Sequence, residues 1–140
     1  MPAFGECSRQ DLMDYTPLQL AYIGDSVYHL LVRGTVLRGK RKLHAMHLAA
    51  TSKVNAVSQA KTLRVLLPHL TEEEANYVRR GRNAQAHHGL PRGASSADYS
   101  AATALETLIG YLYVSGQEER LGELYQLTLA MPPQEEQCAV

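Results

Sequence analysis

Cysteine is scarce in this chain of 140 residues. The two that occur, Cys7 and Cys138, lie near opposite ends without metal-ligand spacing, and read as incidental thiols of a reducing compartment. Glycine (10) and proline (6) follow no period, which excludes collagen-like and low-complexity architectures. No apolar run is long enough for a membrane. The longest, Leu18 to Val32, falls short of the ~20 residues a span needs and carries Asp25 inside it. Met1 to Gln10 has no apolar stretch of the kind a secretory signal requires, so a soluble, cytoplasmic protein with no membrane partner is expected. Strand-like alternation and internal repeats are missing as well. What is present is enough for one domain: 45% hydrophobic residues exclude disorder, and a chain this long buries roughly two-thirds of its unfolded surface without help from metals or disulfides.

Net charge is also absent, since 14 basic residues balance 14 acidic ones, but the charges are segregated. From Arg33 to Arg92 there are 12 bases against the three acids Glu72, Glu73 and Glu74. That segment is therefore +9, whereas residues 1–32 are −3 and residues 93–140 are −6. The bases cluster at Arg38 to Lys42, at Lys53 to Arg64 and at Arg79 to Arg82. Such an asymmetry suits a partner with a regular array of negative charge, nucleic acid being the commonest, although solvated helix faces have the same composition.

Helical signals run the length of the chain. Thr16 and Pro17 open a helix that continues to about Leu37, with Gly39 as its stop. A second apolar pattern, from about Leu43 to Leu67, reads as one helix ended by Pro68. Thr71 followed by three glutamates is a capping box for a third helix to about Asn83. Residues 84–98, rich in Gly, Pro and Ser and containing His87 and His88, read as a long loop. Helices over Tyr99 to Val114 and Gln117 to Ala130 complete an all-α fold. His44 and His47 have the spacing of a zinc pair but lack a third ligand, and read as a surface helix face.

Two of these helices are apolar all round, and each carries one formal charge. Projected at about 100° per residue, Asp25 lies among Leu18, Ala21, Tyr22 and Val32, and Glu106 among Tyr99, Ala102, Ile109 and Tyr113. Both carboxylates are therefore expected to be enclosed, and an enclosed carboxylate is paired, protonated or bound to a metal. Gly24 and Gly110 adjoin them, small enough to let the two helices or a ligand approach. The residues alone leave two readings open: a hard divalent cation held by two acids from two central helices, or separate partners for each acid elsewhere in the fold.

The stretch Leu20-Ala21-Tyr22-Ile23-Gly24-Asp25-Ser26-Val27-Tyr28 resembles the signature helix of the ribonuclease III family, and Thr103 to Gly110 resembles that family's second acidic motif. Ala21 to Tyr28, Arg79 to Ala84 and Thr107 to Tyr113 are closer still to its minimal branch, Mini-ribonuclease III, a bare catalytic domain of this size. The resemblance covers about residues 12–131. Two departures stand out. Leu18 and Ala21 replace glutamates of the larger family, and Thr103 replaces an aspartate, so only Asp25 and Glu106 of the acidic set remain.

The resemblance implies the ribonuclease III endonuclease-domain fold, a compact helical bundle forming a homodimer. It implies an N-terminal tail over 1–10, a catalytic domain over 11–131 and a flexible tail over 132–140. No double-stranded-RNA-binding domain follows residue 131, so affinity for RNA is expected from the catalytic domain. The implied activity is Mg2+-dependent hydrolysis of double-stranded RNA, with Mn2+ able to substitute, leaving 5′ phosphates. Asp25 and Glu106 would be catalytic and hold the metal, with Thr103 in support. Arg79, Arg80, Arg82, Lys53 and Arg92 are the candidates for RNA phosphates, and Asn83 and Gln59 for 2′-hydroxyls. The implied substrate is the precursor of 23S ribosomal RNA, with a large-subunit ribosomal protein as a further partner. Two other classes fit the same residues: a catalytically idle RNA-binding module or RNA chaperone, and a helical dimerisation adaptor without an RNA role.

Overall fold

The computed structural model describes residues 7–84 and 95–130, and among these there is no strand. Seven α-helices follow one another: α1 Arg9–Asp14, α2 Pro17–Arg38, α3 Leu43–Lys53, α4 Ala56–Leu66, α5 Glu72–Asn83, α6 Ser96–Val114 and α7 Glu118–Ala130. A single 3-10 turn, Leu67–His69, joins α4 to α5. No helix among the described residues is long and apolar enough to cross a membrane.

Most helix starts are chemically marked. Thr16 accepts from the Gln19 amide while Gln19 returns a bond to the Thr16 amide, with Pro17 at the first helical position. Thr71 and Glu74 cap α5 in the same reciprocal way. Three boundaries differ from expectation. Ser8 and Asp11 form a capping box for a short helix, α1, that begins inside the expected N-terminal tail. Ser95 caps α6 through the Asp98 amide, so the helix starts three residues before Tyr99. The pattern from Leu43 to Leu67 is two helices, because the Asn55 side chain accepts from the Ser58 amide and opens a new one. Ser58 Oγ also donates to the Ser52 carbonyl, closing the corner.

Helix α6 is the centre of the bundle. Ala104, Leu105, Leu108 and Leu112 are almost wholly buried, and α2, α4 and α5 pack around them, with α7 against α4 and α6. Two glycines let α2 and α6 meet backbone to backbone. A Cβ on Gly24 would fall onto the Glu106 carbonyl, and one on Gly110 onto the Leu20 carbonyl. Gly81 lets α5 approach α6 as well, less tightly, against the Thr107 side chain and Ala104. The far end of α5 is clamped by Arg120 of α7. Its guanidinium donates to both Glu74 carboxylate oxygens at 2.9 Å and to the His69 carbonyl at 2.8 Å, holding the Glu74 carboxyl below the ordinary range.

The expectation that α2 is covered on all sides does not hold. Leu20, Ala21, Val27, Tyr28 and Val32 are buried, but Leu18, Tyr22, Leu30 and Leu37 are exposed, Tyr22 by 83% and Leu30 by 70%. These four share one arc of the helix with exposed Ser26 and Arg33 and leave a partly apolar stripe on the surface.

The glycine contacts predict a sharp asymmetry. Gly24→Ala or Gly110→Ala should cost about 3 kcal/mol or prevent folding, because rigid backbone meets the new methyl. Gly122→Ala in α7 meets open space and should be neutral or add about 0.5–1 kcal/mol through helix propensity. Urea denaturation of the three variants checks both.

Candidate active site

The α2–α6 contact places one acid from each helix at the same level. Asp25 directly follows Gly24, and Glu106 lies one helical turn before Gly110, so the reciprocal glycines also bring the two carboxyl groups within reach of each other. The two acids differ in setting. Asp25 is not enclosed: its side chain is 53% exposed, at the edge of the apolar stripe of α2. Its Oδ1 stands 3.3 Å from His29 Nε2, one turn further along the same helix. The sequence reading saw no base near either acid, and missed this one. The i, i+4 spacing on a common face was the available signal.

Glu106 is half-buried. Burial, followed by the facing Asp25 carboxylate, pushes it up to about 7, and the amide of Gln59 pulls in the opposite direction. Thr103, also half-buried, lies one turn before Glu106. Its hydroxyl donates to the Tyr99 carbonyl at 3.1 Å, and its carbonyl accepts from Thr107 Oγ1 at 2.8 Å. Thr107 Oγ1 also reaches the Pro17 carbonyl at 3.2 Å, fixing the start of α2 to this turn of α6.

The expected RNA contacts are distributed over three helices. Arg82 and Asn83 are exposed in the last turn of α5, which Gly81 holds against the turn of α6 that carries Glu106. Arg79 is exposed and donates to the Asn76 side chain. Arg80 is half-buried, its guanidinium 5.1 Å from the centre of the Tyr77 ring, which is itself stacked on Tyr111. Lys53 is exposed at the end of α3. Gln59 is the exception. It is 2% exposed on the inner face of α4, so it offers no surface to a 2′-hydroxyl and lies beside Glu106 instead. Arg92, His87 and His88 fall outside the described residues.

Among the described residues no three His, Cys, Asp or Glu side chains gather closely enough to hold a metal alone. The donor set nevertheless fits one kind of cation. Two carboxylates facing each other, one with its ionisation opposed by the other, favour a hard divalent ion between them, and oxygen donors suit Mg2+. With only two acids, most of such an ion's coordination would fall to water and to phosphate.

Comparison with known proteins points to one family. The family model described as the Ribonuclease III domain matches residues 18–117. The Mini-ribonuclease 3 of Symbiobacterium thermophilum is 49% identical over 111 residues, covering 79% of this chain and 85% of that protein. That of Brevibacillus brevis is 46% identical over 116 residues, covering 82% and 86%. A crystal structure of a Fusobacterium nucleatum protein superposes with a TM-score of 0.76 at 28% identity, covering 85% of this chain and 95% of that one.

The raised Glu106 value makes a stability prediction. The native state holds this proton more tightly than the unfolded chain, whose ordinary value is 4.5. As pH rises from 4.5 towards 7 the unfolded chain ionises first, so this group lowers stability across that window, by up to about 3 kcal/mol. Metal-free protein should therefore lose urea resistance between about pH 5 and about pH 8, and Glu106→Gln should remove most of that loss.

Proposed function

The chain belongs to the ribonuclease III family, and on that premise we propose that it is a Mg2+-dependent endonuclease of double-stranded RNA acting through Asp25 and Glu106. The observation that carries the proposal is the pairing of these two carboxylates across the α2–α6 glycine contact, with Glu106 held near neutrality by burial and by Asp25. Asp25 and Glu106 would hold Mg2+, which would make a bound water more acidic and offset charge on the scissile phosphate.

The residues of the chain divide the remaining work. Asp25, exposed, presents its carboxylate towards the substrate side, while Glu106, half-buried, anchors the site from behind. Thr103 keeps its oxygen lone pairs free beside Glu106 after donating its proton to the helix backbone. In the reaction the oxygen of water bonds to phosphorus and the bond to the 3′ oxygen breaks, leaving a 5′ phosphate and a 3′ hydroxyl. Arg79, Arg82, Lys53 and Arg92 contact phosphates, and Asn83 a 2′-hydroxyl. Arg80, stacked on Tyr77, presents a pre-oriented guanidinium to the same backbone.

A duplex has two strands to cut, which suits a homodimer. The exposed face of Leu18, Tyr22, Leu30 and Leu37 is the surface we assign to the second protomer, because these large apolar side chains lie open beside Asp25. We further propose the 23S ribosomal RNA precursor as the cytoplasmic substrate, cut in double-stranded stems near its mature ends, with a large-subunit ribosomal protein shaping the RNA. The Mini-ribonuclease 3 relatives and the segregated charge support this reading.

Cleavage of a long double-stranded RNA with Mg2+, beside Asp25→Asn, is the test. The parent should cut, and the variant should lose at least about a hundredfold in rate while still binding RNA. Binding by the parent without cleavage of either a generic duplex or a ribosomal precursor stem would establish the idle RNA binder instead. Arg82→Ala should weaken binding to all duplexes alike and lower the slope of log affinity against log salt by about 1.

A further inference from the structure

Gln59 sits on the inner face of α4 with Ala60, Leu63 and Leu66, and is 2% exposed. Burying a primary amide there is unfavourable unless its hydrogen-bonding groups are met. Its Nε2 has no partner, and among the described residues it is the only buried side-chain nitrogen or oxygen in that position. A native structure rarely leaves such a donor alone without a role for it. The amide lies beside the Glu106 carboxylate and favours its charged form, although Nε2 is left without a well-formed hydrogen bond.

We propose that Gln59 is a positioning residue, whose amide turns one oxygen of the Glu106 carboxylate towards α4 and leaves the other facing Asp25 to bind a divalent cation. The inference rests on the reading of Asp25 and Glu106 as the cation site. A cation held by the outer oxygen would fix the carboxylate in place, so the inner oxygen would meet the unpaired Gln59 donor, and cation binding and that hydrogen bond would reinforce each other. An amide suits this task better than lysine or arginine would. It stabilises the carboxylate without a positive charge that would repel the metal.

The test is Mn2+ binding to the RNA-free protein, followed by electron paramagnetic resonance, for the parent, Gln59→Met and Asp25→Asn. Gln59→Met should bind Mn2+ about tenfold more weakly and need about tenfold more Mg2+ for half-maximal cleavage. Its KM for RNA at saturating Mg2+ should not change. Its metal-free urea midpoint should hold or rise, since an apolar side chain of similar length replaces an unpaired polar one. Unchanged Mn2+ affinity overturns the inference, as does a raised KM for RNA as the sole effect. Should Gln59→Met not fold, the parent still decides the matter: the isotope-labelled Gln59 side-chain amide signal should move on Mg2+ addition, and a signal that stays in place overturns the inference. Asp25→Asn separates the two levels. Loss of Mn2+ binding in Asp25→Asn with none in Gln59→Met removes Gln59 alone, whereas a parent that binds no Mn2+ through Asp25 removes the cation site and this inference with it.

Discussion

The backbone contact between α2 and α6 is the constraint on which the rest of the molecule depends. Side chains normally hold helix axes 8–10 Å apart. Here Gly24 and Gly110 remove the side chain on both partners, and each helix rests on a carbonyl of the other. Carboxyl groups one residue and one turn away are thereby set at a separation that neither flexible side chains nor a loop would maintain. The buried leucines of α6 then stabilise an axis whose position the glycines have already fixed. Gly81 repeats the device towards α5, so the helix bearing Arg79, Arg82 and Asn83 is registered against the same turn of α6.

This geometry opposes stability at one point. Two like charges are held face to face, one of them half-buried, and the fold tolerates this by keeping Glu106 near its protonated form until something positive arrives. Elsewhere in the molecule the same kind of group is treated oppositely. Glu74 is almost fully buried, yet Arg120 satisfies both its oxygens and its charge is favoured. The fold neutralises one glutamate with an arginine at α5 and leaves the other without a cation at α6, as the proposed cation site requires.

Much of the fold was legible because its signals are local. Thr16-Pro17, the Thr71 to Glu74 box and the apolar period of α6 each depend on a few neighbouring residues. The corner at Asn55 was not legible, because an apolar period continues through it and only a side-chain to backbone bond breaks the helix. The paired acids and glycines were readable from helix projection together with the family resemblance. The exposure of Asp25 was not, because projection shows that a face is apolar without showing what covers it. His29 stands one turn from Asp25, a spacing that the sequence displays. Gln59 was placed at the surface on its polarity, whereas its place on α4, four residues after the Asn55 cap, sends it inward with Ala60 and Leu63.

Helix α3 differs from every other long helix in having no buried residue, though Met46, Ala49 and Ala50 rest half-covered against the core. It is bounded by the Gly39-Lys40 corner, where Lys40 takes a positive φ, and by the Asn55 cap, so its ends are joints on both sides. Segments with so little buried apolar surface open at low free energy, independently of global unfolding. Its amide hydrogens should exchange with solvent well before those of α2 and α6. Lys53 therefore rides on an element that can breathe, with Arg41 and Lys42 at the corner before it, while the two carboxylates stand on closely packed helices. A long, irregular polyanion laid along these bases would meet a surface that adapts its reach while the α2–α6 contact stays fixed.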